Sequence, residues 1–173
     1  KRGELILNSY TSSELLADPS ADGSRLEYTQ AAVGELRKSL KLKQGDPIRY
    51  SISSQSVFTR FVTLPPLDVD QVDQIVGFEA QQQIPFPIED AVWDYQTLGD
   101  PDDIEVEVVL VAIKASDLEQ VDNTMRHNGL ETKVVDLAPM ALYNAYRYNY
   151  PDIDQPVLLV DIGARTTNLI YLE

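Results

Sequence analysis

Chemistry-bearing groups are densest between Val157 and Leu169. An apolar run, Val157-Leu158-Leu159-Val160, delivers an acid, Asp161, to its end. Ile162 and Gly163 follow, then Ala164, Arg165 and the hydroxyls of Thr166 and Thr167. A glycine at such a turn lets backbone N–H groups approach a phosphate as an anion nest. Threonine hydroxyls add donors. An Asp at that point can hold a hydrated metal ion, or orient a water for attack on a phosphoryl group. The same letters also build an ordinary hairpin turn, and Asp-Ile-Gly alone does not separate the two readings.

Other chemistries are largely excluded. The 173 residues contain no Cys and one His, His127. That rules out disulfide frameworks and thiolate metal sites and leaves little for a zinc enzyme or a His-based triad. His127 falls near the end of a predicted helix, where it reads as a surface group or a dipole partner. The net charge of -14, from 14 basic and 28 acidic residues, argues against nucleic acid and anionic membranes as direct ligands. Apolar residues make up 43%, enough for a core in one large or two small domains. Charge is uneven: Phe61 to Ile113 holds twelve acids and no Lys, Arg or His. This stretch is either a solvated acidic face or a docking surface for a basic segment.

Periodicity places the elements that would position these groups. Glu4 to Tyr10 reads as a strand, Tyr28 to Leu42 as a helix, and Ile48 to Ser53 as a half-buried strand. Val57 to Leu64 is a strand, and Asp68 is a predicted N-cap for a helix reaching Gln83. Ile84-Pro85-Phe86-Pro87 must be extended, because proline restricts the residue before it. Such a bend serves as a packing wedge or lines a peptide groove. Val92 to Leu98 and Glu105 to Ile113 are strands; Ser116 is expected to cap a helix that Gly129 stops. Thr132 to Leu137 is a strand, Pro139 opens a helix reaching Tyr150, and strands follow at Val157 to Asp161 and Thr166 to Leu172. Trp93 is expected to anchor the core, as are Tyr143, Tyr146 and Tyr150 on one helix face.

From Val57 to Leu137 the order is strand, helix, strand, strand, helix, strand, which is the split βαβ, ferredoxin-like order. The expected organisation is an insertion. Residues 56–137 form the inserted unit, and residues 1–55 and 138–173 fold together beside it.

The Asp161 hairpin is similar to the second phosphate-binding hairpin of the actin-like superfamily. More closely, the chain resembles the PilM family of actin-like type IV pilus assembly proteins. Three further segments carry that resemblance: Thr59-Arg60-Phe61-Val62-Thr63-Leu64-Pro65; Glu79 to Asp90 with Val92-Trp93-Asp94-Tyr95-Gln96; and Val135-Asp136 with the helix around Ala141-Leu142. The resemblance covers residues 57–171 in matching order.

The resemblance implies an α/β fold: a partial actin-like (ribonuclease H-like) subdomain 1A carrying an inserted ferredoxin-like 1C-type subdomain. It implies ATP and Mg in the intact protein. Asp161 would then lie at the metal or hydrolytic water, with Gly163, Ala164, Thr166 and Thr167 along the β- and γ-phosphates. It also implies a partner, the cytoplasmic N-terminus of a PilN-like membrane protein, for which Ile84, Pro85 and Phe86 are candidate contacts, and other pilus platform proteins. The expected location is cytoplasmic, peripheral to the bacterial inner membrane through those partners. The family's first phosphate loop and its second large domain are not represented in these 173 residues. The chain alone is therefore expected to hold nucleotide weakly or not at all, and to expose sheet edges through which it could dimerise. An FtsA-like tether, or an actin-like ATPase of type II secretion, is the alternative in the same superfamily.

Overall fold

The computed structural model describes residues 5–15, 22–65, 69–99, 105–163 and 166–172. The predicted cap Asp68 and the site residue Ala164 lie outside the described residues. Contacts divide the chain into two compact units, Lys1–Tyr50 with Glu119–Val135, and Ser51–Leu118 with Asp136–Glu173.

In the first unit, helix α1 (Asp22–Ser39) begins six residues before the expected helix. It ends on a residue that sequence does not flag. Lys41 takes a left-handed φ of 57°, Leu42 N–H reaches Arg37 O at 3.0 Å, and Lys41 N–H reaches Lys38 O at 3.1 Å. That is the Schellman pattern, with lysine where glycine is usual. Strand β1 (Pro47–Ile52) follows, with Ile48, Tyr50 and Ile52 turned inward. Helix α3 (Ala115–His127) ends as predicted at Gly129, whose φ of 68° needs no Cβ. Strand β5 (Glu131–Leu137) then pairs with β1.

The expected strand at Glu4 to Tyr10 is not formed: residues 5–15 have no regular structure, and Leu7 is 80% exposed. They follow α1 through Ser13 Oγ, which donates to Glu35 Oε2 at 2.9 Å, and Ser39 Oγ, which donates to Thr11 Oγ1 at 3.3 Å. A β-prone segment becomes a strand only beside a neighbour, and among the described strands none pairs with it.

The second unit holds a three-stranded antiparallel sheet of β2 (Phe58–Leu64), β3 (Ala91–Leu98) and β4 (Val106–Lys114), in the order β2-β4-β3. In register, Leu110 lies opposite Arg60 on one side and Tyr95 on the other. Helix α2 (Val69–Gln83) covers one face. Val72, Val76 and Ala80 meet Leu64, Val108, Leu110 and Ala112, with Trp93 packed at the margin as expected. Each buried Val or Leu among these contributes about 1.5–3 kcal/mol, and each Ala less. Helix α4 (Ala138–Asn149), with proline in its first turn, packs on the hairpin of β6 (Val157–Ile162) and β7 (Thr167–Leu172).

The elements follow the ferredoxin-like order, and β5 pairs outside the three-stranded sheet. β5 joins β1 instead of β2. The cause is local. Gly45 N–H donates to Gly129 O at 2.8 Å and Glu131 N–H to Asp46 O at 3.0 Å, so the turn after α3 is tied to the turn before β1. The antiparallel pairing of the three-stranded sheet runs to Lys114, opposite Ala91. The two contact units are cut at other residues than the expected domains, 1–55 with 138–173 and 56–137. Ser116 is also corrected: α3 begins one residue earlier, directly from the strand, so Ser116 lies inside the helix.

Candidate functional site

The β6–β7 register sets Asp161 opposite Asn168 and Ile162 opposite Thr167. The turn is closed by Gly163 N–H, which donates to Thr166 O at 2.9 Å. A Cβ on Gly163 would stand 3.1 Å from that carbonyl, a tight contact that a small shift of the turn would have to relieve. The Gly163 N–H is engaged inside the turn and is not a free donor for a phosphate. What remains is the Asp161 carboxylate, exposed, with the half-buried Thr166 and exposed Thr167 beside it.

Asp161 is held in place. Asn168 Nδ2 donates to Asp161 Oδ2 at 3.0 Å, and Ser54 Oγ donates to Asn168 Oδ1 at 3.0 Å. The carboxylate accepts only, so it settles which end of the Asn168 amide faces it. One Asp161 oxygen is taken by this bond; the other has no protein hydrogen bond among the described residues. Ser54 and Asn168 carried no sequence signal, since each reads as an ordinary loop or strand residue until the fold brings them together.

The donor set fits one wall of a nucleotide–cation site and no more. Among the described residues no group of three or more His, Asp or Glu is gathered to hold a metal. A cation here would have one carboxylate oxygen from Asp161 and would need its other ligands from phosphate, water or further protein.

The second predicted site divides. Ile84 is 6% exposed and belongs to the core beneath α2, so it presents no surface to a partner. Phe86 packs against the same core, with Lys114 Nζ 6.0 Å from its ring centroid. Pro85 is exposed. The bend thus packs on the core through Ile84 and Phe86 and leaves Pro85 exposed. In the acidic stretch, the Tyr95 hydroxyl donates to the Asp73 carboxylate, tying β3 to α2 and raising the phenol above its usual range.

A polar cluster in the first unit was not legible in the sequence. Gln44, Asp122, Arg126, Leu130, Glu131 and Thr132 line a cleft of about 320 Å³. Arg126 binds Asp122 at 2.6 Å. Tyr50 OH, Thr132 Oγ1 and Asp122 Oδ1 are buried there without a well-aligned hydrogen bond. The Thr132 hydroxyl is nonetheless close enough to favour the carboxylate. It acts first, with Arg126, to hold Asp122 below the ordinary carboxylate range, while burial and then the charge of Asp122 raise Tyr50. His127 is exposed in the last turn of α3. Tyr146 and Tyr150 stack at 5.2 Å between ring centroids.

Among the described residues no helix is long and apolar enough to cross a membrane. The sequence pattern of the family described as "Type IV pilus assembly protein PilM" matches residues 1–173. Among solved structures, the chain is similar to one in a "PilM-PilN type IV pilus biogenesis complex", with 26% identity and a TM-score of 0.73 over 94% of this chain. The match takes in 48% of the other chain, so these residues span about half the length of that relative. A more distant likeness is to the cytoplasmic domain of EpsL, an inner membrane component of the type II secretion system of Vibrio cholerae. There the identity is 15% and the TM-score 0.44, over 62% of this chain and 42% of that one. A likeness at that level carries no argument.

Proposed function

This chain belongs to the family of the type IV pilus assembly protein PilM, and on that premise we propose that it is the partner-binding half of an actin-like pilus scaffold. The observation that carries the reading is the match of nearly the whole chain to a structure solved as a PilM–PilN complex. The proposed partner is the cytoplasmic N-terminal segment of a PilN-like membrane protein. It would hold the scaffold at the cytoplasmic side of the inner membrane, beside other platform proteins. An extended peptide of this kind is recognised by backbone pairing and small apolar pockets. Pro85 and the rim of Phe86 are the residues of this chain offered to it.

Nucleotide belongs to the intact protein in this reading. ATP with Mg supplies the switch between scaffold states; Asp161 contributes one oxygen to the cation, and Thr166 and Thr167 lie along the phosphates. With one hairpin available, the 173-residue chain does not bind ATP at micromolar concentration. The test is calorimetric titration with a synthetic N-terminal peptide of a PilN-like protein, and separately with Mg·ATP. Saturable one-to-one peptide binding with no ATP heat is the expected result. Absence of peptide binding overturns the partner assignment, and micromolar ATP affinity overturns the division of labour.

A further inference from the structure

We infer that Ser54 and Asn168 are positioning residues for Asp161, and that through them the entrance of the inserted unit is mechanically linked to the phosphate-side acid. Three side chains from separate places in the sequence form one line. Ser54 Oγ donates to Asn168 Oδ1 at 3.0 Å, and Asn168 Nδ2 donates to Asp161 Oδ2 at 3.0 Å. Ser54 and Asn168 lie 114 positions apart, so the contact is a product of the tertiary fold and not of local turn chemistry.

Each end of the line is fixed. Asn168 sits in β7 directly across from Asp161 in the ladder, so its backbone does not move relative to the acid without unzipping the hairpin. Ser54 opens a short 3-10 turn, Ser54–Ser56. Ser53 Oγ caps that turn by accepting from Gln55 N–H at 3.4 Å, and Val57 N–H closes it onto Ser54 O at 3.2 Å. Val57 leads straight into β2, the first strand of the antiparallel unit. Ser54 is therefore anchored to the start of that unit by its carbonyl and to the hairpin by its hydroxyl.

The chemistry gives the line a direction. Without Ser54, Asp161 still selects the NH2 end of the Asn168 amide, but the carbonyl end loses the donor that braces it, so the NH2 leaves the carboxylate more readily. With Ser54 present, one Asp161 oxygen is tied back and the other faces outward. That is the arrangement a cation ligand needs, because a carboxylate held in one rotamer loses less entropy on binding. A shift of the 54–57 turn, such as a peptide seated on the inserted unit would impose, alters the Asp161 geometry without touching it. This consequence rests on the partner and nucleotide reading proposed above; the line of hydrogen bonds does not.

The test uses the 173-residue chain in NMR, without ligand and then with the PilN-like peptide. In the unaltered chain the Asn168 side-chain NH2 should exchange about tenfold more slowly than a free amide, the protection of roughly one net hydrogen bond. Ser54→Ala should abolish that protection and move the Asp161 carboxyl carbon signal, while the β6 and β7 backbone amides keep theirs. Ser54→Thr, which retains the hydroxyl, should restore both signals. Asn168 exchanging as a free amide in the unaltered chain overturns the inference, even if Ser54→Ala does not fold. So does an Asp161 signal indifferent to Ser54→Ala, or uniform loss of hairpin protection, which marks a merely structural bond. Added peptide should shift the Asn168 signal in the unaltered chain and not in Ser54→Ala. Peptide binding with no such shift overturns the linkage, whereas no peptide binding at all counts against the proposed partner alone.

Discussion

The three-stranded sheet and the β6–β7 hairpin are both rich in apolar residues yet end in opposite situations. On β4, Val108, Leu110 and Ala112 face α2 and are almost wholly excluded from solvent, Leu110 at 1% exposure. On the hairpin, Leu158 lies across from Tyr171 and Val160 across from Leu169, and all four remain exposed, Leu158 at 57%. Alternation states which residues share a face; it says nothing of what lies on that face. Both regions have a helix packed on them, α2 on the sheet and α4 on the hairpin, but these four hairpin residues stay exposed, and which face is covered depends on elements outside the strands.

That comparison predicts very unequal costs for the same truncation. Leu110→Ala should destabilise by about 2–5 kcal/mol, because it removes burial and leaves a cavity. A urea unfolding curve at neutral pH should show the midpoint collapse. Gly129→Ala should come next, and it would break the comparison if coverage alone set cost, since Gly129 is only half-buried. Its left-handed φ of 68° costs an Ala about 1–2 kcal/mol. A new Cβ would also stand 2.2 Å from the Gln44 side-chain oxygen. Gln44→Ala in the same chain should recover the clash and not the backbone part, so a double-mutant cycle separates the two.

Thr132→Val sharpens the comparison for polar groups. The Thr132 hydroxyl and Arg126 hold Asp122 below its ordinary value, so the pair stabilises the folded chain above the ordinary carboxylate range. The contribution is lost as pH falls through the depressed folded value. The variant should be less stable than the parent by up to about 1 kcal/mol at pH 7, and the gap should close in strong acid. Parallel urea titrations across that range check the sign. The smallest effect belongs to Leu158→Ala, expected within about 0.5 kcal/mol of the parent because the side chain already stands in water. A loss as large as that of Leu110→Ala would mean that the hairpin face is covered in solution.

Most elements were legible, for physical reasons that can be named. Pro139 and Gly129 mark the start and stop of helices because one lacks an N–H and the other lacks a Cβ, and both act where predicted. The end of α1 was misplaced because Lys41 adopts the left-handed conformation that a glycine signals openly. The N-terminal strand failed because β propensity in Leu5, Ile6 and Leu7 does not supply a neighbouring strand. The partner of β5 was missed because it is set by two backbone hydrogen bonds between the turns at Gly45 and Gly129, which no periodicity encodes. In the candidate site, Asp161 and Gly163 were readable as strand-end acid and turn glycine. Ser54 and Asn168 were not, since their meaning comes from a contact 114 positions apart.

Among the described residues, two strand-to-helix joints have no intervening loop: Lys114 ends β4 and Ala115 begins α3, and Leu137 ends β5 and Ala138 begins α4. One residue inserted at either point would swing the following helix by about 100° around its axis, taking its apolar stripe away from whatever it packs on. Homologues should therefore differ in length at surface turns and keep an ungapped alignment across both joints. The spacing from Lys114 to Ala115 and from Leu137 to Ala138 then serves as a ruler for recognising distant members of the lineage.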